Sequence, residues 1–186
     1  MNRKGLLLLA LAAAAAAQLA VPAWMIVGRE LTLRDGVQFK FRTRPVDPAD
    51  AFRGRYVLLG LEPDHVTVSN ASQWASGARA YAVLSTDADG FAEVLRLDRT
   101  PPPVELAIPV RVGWSVAGTN GVHFSWPLDR YYMEETRAPA AEAAYRSHST
   151  RTNRTCHVTV RVRGRDAVLE GLFIDGKPIR EFLKKP

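Results

Sequence analysis

Residues 5–27 carry no ionisable side chain, while Arg3 and Lys4 stand before them and Arg29 and Glu30 follow closely. At about 1.5 Å of rise per residue, these 23 residues reach roughly 34 Å as a helix, enough for a hydrocarbon core of about 30 Å. A secretory h-region is shorter, about 7–15 residues. Leu6, Leu7, Leu8, Leu9, Leu11 and Leu19, with Val21, Ile26 and Val27, supply the insertion energy. Trp24 suits an interfacial anchor, and Gln18 and Pro22 interrupt the pattern. Residues 1–27 are therefore expected to form an uncleaved signal-anchor, a single transmembrane helix meeting the lipid bilayer through residues 5–27. The alternative is cleavage after Ala23, where Val21-Pro22-Ala23 gives a passable small-residue site. Cutting there would leave Trp24-Met25-Ile26-Val27 as an apolar new terminus, which argues against it.

Orientation follows less directly. Arg3 and Lys4 favour a cytoplasmic N-terminus, but Arg29, Arg34, Lys40, Arg42 and Arg44 lie close on the other side. The positive-inside rule weakens for long segments, which translocate largely regardless of charge, and here 159 residues follow. The expectation is an N-terminus in the cytoplasm and a domain at residues 28–186 outside it. That length suits one ordinary domain with its own core. The single Cys156 excludes an internal disulfide.

Formal net charge is +6, of which Arg3 and Lys4 supply two. Nucleic-acid binding needs a basic stripe interleaved with aromatic side chains. The best cluster is Arg151, Arg154, Arg161, Arg163 and Arg165, and its last three members alternate along an expected strand as one solvated sheet face would. No nucleic-acid partner is expected. Attraction to anionic lipid headgroups or to an acidic partner surface is the other reading of these arginines.

Strand signals recur, punctuated by turns. Residues 37–42 alternate apolar and polar, and Arg34-Asp35-Gly36 reads as a turn linking them to a strand at 30–33. Further strands are expected at 56–61, 78–85, 91–97 and 104–112, with Asp87-Ala88-Asp89-Gly90 as a hairpin-type loop. Residues 157–163 alternate cleanly and turn through Gly164-Arg165-Asp166 into 167–174. Helical signals are few: one turn at 48–52, with Asp47 as cap, and two to three turns at 138–147. The fold expected is mainly β, an antiparallel sandwich or barrel-like domain with one or two short helices, preceded by the single transmembrane helix.

The segment from Phe41 to Leu59 ends a strand, turns through Pro45, Asp47, Pro48 and Asp50, and enters an apolar strand past Phe52 and Gly54. With Gly54-Arg55-Tyr56-Val57-Leu58-Leu59-Gly60-Leu61 it resembles the GDYXXLXY family of bacterial membrane-anchored proteins. Gly28-Arg29-Glu30, Thr43-Arg44-Pro45-Val46-Asp47-Pro48, the aromatic-acidic block Arg130-Tyr131-Tyr132-Met133-Glu134-Glu135 and Gly171-Leu172-Phe173-Ile174-Asp175-Gly176-Lys177-Pro178 look like the family too. Gly54, Arg55, Tyr56, Leu59 and Leu61 are the motif positions to follow. The signature's acid is replaced by Arg55 and its final tyrosine by Leu61. The resemblance implies an N-terminal anchor, a β-rich extracytoplasmic domain and no established activity. It also implies companionship with a multi-spanning inner-membrane protein.

No constellation of residues points to catalysis. A signal-peptidase-like reading would pair a serine with a lysine of lowered pKa, yet no lysine lies between Lys40 and Lys177. Thr43 and Ser69 have no evident base. His65, His123, His148 and His157 are scattered, with no short-spaced ligand pair on one element, so no metal site and no cofactor is expected. His157 follows Cys156, but neighbours on a strand face opposite sides. Tyr131, Tyr132, Glu134 and Glu135 are the candidate interaction residues. Their structural alternative is a buried tyrosine pair ahead of a helix, with the two acids near its positive end. The expected protein is a non-catalytic accessory protein, single-pass in the bacterial inner membrane with its domain in the periplasm. An anchored hydrolase or peptidase-like enzyme, and a cleaved secreted binding domain, are the alternatives.

Overall fold

A computed structural model of the protein describes residues 3–44, 46, 56–115, 119–150 and 154–184. Gly54, Arg55 and the turn expected at 48–52 lie outside the described residues. The chain opens with one helix, α1 (Arg3–Asp35), 33 residues long. It is apolar enough and long enough to cross a bilayer, and Leu7, Leu9, Leu11, Leu19, Trp24 and Ile26 stand exposed on it. The strand expected at 30–33 is instead the last turn of α1. Leu31-Thr32-Leu33 is too short to impose a period of two, whereas an existing helix gains one hydrogen bond for each residue added. Thr32 is fully buried and its hydroxyl donates to the Gly28 carbonyl at 3.0 Å. Gly36 then ends the helix, its N–H donating to the Thr32 carbonyl. A Cβ at Gly36 would collide with that carbonyl and press on the Val162 backbone, so the handover from helix to strand requires glycine.

Among the described residues twelve strands follow: β1 (Val37–Arg44), β2 (Tyr56–Leu58), β3 (Gly60–Glu62), β4 (His65–Thr67), β5 (Arg79–Thr86), β6 (Ala92–Asp98), β7 (Ala107–Ser115), β8 (Gly121–Ser125), β9 (Arg130–Tyr132), β10 (Cys156–Arg163), β11 (Asp166–Ile174) and β12 (Lys177–Pro178). A 3-10 turn (Ala71–Gln73), α2 (Ala138–His148) and α3 (Ile179–Phe182) complete the described elements. The first sheet runs β12-β11-β10-β1-β3, the second β4-β8-β7-β5-β6, and β2 with β9 forms a third, two-stranded piece. Pairing between named strands is antiparallel, and a parallel bridge from Lys40 to Phe91 links the large sheets into a nearly closed, barrel-like arrangement. The expected mainly β, antiparallel and barrel-like fold with few helices is what the chain adopts.

The core is built from alternate positions. On β1, Phe39 and Phe41 point inward opposite Val160 and Val158 of β10. Phe41 meets Trp126 edge-on with centroids 5.2 Å apart, and Trp126 meets Phe124 the same way at 5.1 Å. On the outer face of β10, His157 stacks on Phe173 at 5.0 Å and meets Phe91 edge-on. Cys156 faces the core, where burial pushes its thiol up to about 12, so it stays protonated at neutral pH.

Two features of this packing are measurable. Tyr145 of α2 is buried, donates its hydroxyl to the Arg44 carbonyl at 2.9 Å and accepts the Gly60 N–H at 3.4 Å. Tyr145→Phe leaves both backbone groups without that partner and should lower unfolding stability by about 1–3 kcal/mol, read by urea unfolding. An unchanged midpoint would show the bridge to be idle. Burial, reinforced by Lys40, holds the His157 imidazole below its ordinary 6.5. The unfolded chain therefore takes up the proton first, and the stability His157 lends is full above about pH 6.5 and falls as acid is added below it. His157→Phe should narrow the loss of Tm between about pH 7.5 and about pH 5 relative to the parent protein.

Candidate functional site

The two stretches singled out by sequence prove to be strand partners. Tyr56 pairs with Tyr132, Val57 with Tyr131 and Leu58 with Arg130. Tyr56 and Tyr132 meet edge-on at 5.8 Å, and the Arg130 guanidinium lies over the Tyr56 ring at 5.1 Å. The chain then changes sheets at Leu59, whose N–H donates to the Asp129 carbonyl at 2.8 Å. Gly60 and Leu61 pair with Arg44 and Thr43 of β1. Leu59 and Leu61 are buried, while Tyr56 is half-buried. A Cβ on Gly60 would come within 2.7 Å of the Arg44 and Val46 side chains. What was expected as one strand at 56–61 is thus two short strands in different sheets, divided where β2 must leave β9 and β3 must join β1.

Beside this junction lies an open cavity of about 620 Å³, lined in part by Arg29 of α1, Arg130, Tyr131 and Tyr132 of β9, Glu170 of β11 and Arg180 of α3. Tyr131 leans against the core and Tyr132 is 65% exposed, so the buried tyrosine pair does not describe them. Glu134 and Glu135 do not line this cavity. Glu134 pairs with Arg137 at 3.1 Å, and its carbonyl takes the N–H groups of Arg137 and Ala138. The first turn of α2 holds no acid. The four candidate residues therefore separate into two tyrosines at a basic cavity and two acids ahead of a helix. Arg29 and Arg180 reach the cavity through tertiary packing; Arg29 stood in a segment that resembles the family, but nothing local tied it to the tyrosines, and no local sequence signal marks Arg180.

The described residues contain a serine beside a histidine. Ser147 Oγ lies 2.9 Å from His148 Nδ1, and His148 Nε2 lies 3.8 Å from Asp175. Both Ser147 Oγ and His148 Nδ1 also reach the Ala144 carbonyl, at 2.9 and 2.8 Å. That carbonyl can only accept, so the proton sits on Nδ1, which leaves no lone pair there to take the serine's proton. The contact closes the last turn of α2 and does not activate a nucleophile.

The histidines correct a premise of the sequence reading. His65 on β4 and His123 on β8 stand directly opposite each other across the strands, although 58 residues separate them. Their ring centroids are 5.3 Å apart, Trp114 stacks on His123 at 4.0 Å, and Asp64 Oδ1 is 3.2 Å from His65 Nδ1. Asp64, His65 and His123 each offer a ligand atom within 4.8 Å of the other two. Spacing along single elements does not detect such a group.

Because Tyr132 and Arg130 are exposed, removing either should leave the fold intact. Tyr132→Ala and Arg130→Ala are each expected to shift unfolding stability by no more than about 1 kcal/mol, by urea titration. A larger loss would make the β2–β9 contact a structural requirement and not an accessible surface.

No curated protein and no solved structure matches the chain. The family model described as GDYXXLXY protein matches residues 18–172, a span that takes in the end of α1, the sheet-switching segment, β9 with its two tyrosines, and β10. The chain belongs to the GDYXXLXY family.

Proposed function

We propose that this is a non-catalytic accessory protein, held by α1 in the bacterial inner membrane with its β domain in the periplasm, acting beside a multi-spanning membrane protein. The observation that carries this reading is the apolar surface of α1, which no part of the described domain covers. Leaving so many large apolar side chains in water is unfavourable by roughly 25 cal/mol per Å², and a bilayer removes that cost. Pro22 inside the helix is compatible with this setting, since it occurs in membrane spans more readily than in soluble helices.

The cavity by β9 suits the second half of the reading. Arg29 stands two residues beyond the apolar run, so the cavity opens close to where the helix would leave the hydrocarbon. Arginine and tyrosine are favoured at protein interfaces, and basic side chains at this depth also meet anionic headgroups. The absence of a lysine between Lys40 and Lys177, the protonated Cys156 and the helix-closing role of Ser147 and His148 support a role without chemistry.

The protein is expected to stay in the membrane fraction after carbonate extraction, and a soluble product beginning at Trp24 would establish the secreted alternative. A phosphatase joined after Pro186 should be active, whereas a reporter active only in the cytoplasm should stay silent. A photocrosslinker at Tyr132 should capture a polytopic membrane protein, and the Arg130→Ala background should reduce the yield. Labelling of Ser147 by a fluorophosphonate would instead support the hydrolase reading.

A further inference from the structure

The edge of the second large sheet takes no part in the anchor or in the tyrosine cavity. There, β4 is the outermost strand and pairs only with β8 among the described strands, His65 facing His123. Opposed residues of an antiparallel pair share one face of the sheet. Asp64 immediately precedes β4 and turns its Oδ1 towards His65. We propose that Asp64, His65 and His123 form a binding site for a first-row transition-metal dication of the zinc class, which clips the edge strand β4 to β8.

Donor type and distance support the assignment. Two imidazoles and one carboxylate suit zinc, copper or nickel, whereas magnesium and calcium favour all-oxygen shells. Zinc binds imidazole nitrogen and carboxylate oxygen at about 2.0–2.2 Å, so tetrahedral ligands lie roughly 3.4 Å apart. The three ligand atoms stand within 4.8 Å of one another, and His65, being exposed, can close that difference by turning its ring. Three protein ligands leave a fourth position for water or for a group from another molecule.

The surroundings hold the ligands in place. The Asp64 carbonyl accepts the Phe124 N–H at 2.9 Å, and the Pro63 carbonyl accepts the Trp126 indole N–H at 2.9 Å. Arg44 pairs with Asp64 Oδ2 at 2.9 Å, which fixes the carboxylate and leaves Oδ1 facing His65. Trp114, stacked on His123 with 19° between the ring planes, sets the plane of that ring. Such outer contacts orient metal ligands. Arg44 also places a positive charge near the metal; the adjoining groove is lined by Glu62, Glu93 and an Asp87 paired with Arg42, so its acids outnumber its one arginine and favour cations at the site.

The stacked Trp114 supplies a reporter. In the full-length protein in detergent micelles, zinc measured by competition with a chromogenic chelator should bind one to one, at micromolar concentration or tighter. Copper(II), which binds such donor sets more tightly, should quench part of the tryptophan fluorescence. Trp114→Phe should abolish that part of the quenching while zinc still binds. His65→Ala and His123→Ala should each weaken zinc at least about tenfold, and excess magnesium should not compete. Zinc should raise Tm, reversibly with chelator, in the parent protein and not in His65→Ala. Because His65 is exposed, His65→Ala keeps the test decisive even if His123→Ala fails to fold. Zinc affinity unchanged in His65→Ala, or no saturable zinc binding below millimolar concentration, overturns the proposal.

Discussion

Seven residues, Tyr56 to Glu62, have to serve two sheets, and the rest of the domain is arranged around that demand. Three of them pair with β9, three with β1, and Leu59 turns between them with its N–H on the Asp129 carbonyl. A buried change of partner exposes backbone groups that would otherwise be stranded away from water. Tyr145 answers this by bonding both the Arg44 carbonyl and the Gly60 N–H from α2. The family motif therefore spans a joint, and Gly60, at one of its unspecified positions, sits where a Cβ would run into the Arg44 and Val46 side chains. Leu61 occupies the core face of that joint, where a tyrosine would need to find a partner for its hydroxyl.

Four long strands of the large sheets were legible because each gives eight or nine residues of strand signal, by alternation or as an apolar run closed by turns. Residues 37–44 and 156–163 alternate, 79–86 and 166–174 are apolar-rich runs beside turn signals, and these observed elements follow the expected ones to within one or two residues. The short strands β4 and β9 were not legible: three residues cannot display a period, and their pairing depends on partners far along the chain. The last turn of α1 was misread for the same reason, since Leu31-Thr32-Leu33 satisfies an alternation by chance and the preceding helix decides.

The sites were legible only in pieces. Tyr131 and Tyr132 were marked by their chemistry, but two of the three arginines that line their cavity, Arg29 and Arg180, come from α1 and α3, far away in sequence. Glu134 and Glu135 were grouped with them by adjacency, which a chain leaving a strand for a helix does not preserve. The opposition of His65 and His123 is a property of register, and register belongs to two strands together.

Nothing flexible separates α1 from the sheets. The helix runs unbroken from the apolar residues to Asp35, buries Thr32 against the domain and passes through Gly36 directly into β1. At about 1.5 Å per residue it is a rod of roughly 50 Å with the β domain fixed to one end. In the proposed setting, the domain's attitude to the membrane is then governed by the lipid. A thinner bilayer tilts an over-long span, and the far end of the rod swings with it. The same tyrosine cavity would be pressed towards the headgroups or lifted from them as bilayer thickness changes, which makes hydrophobic thickness a mechanical input to whatever that surface meets.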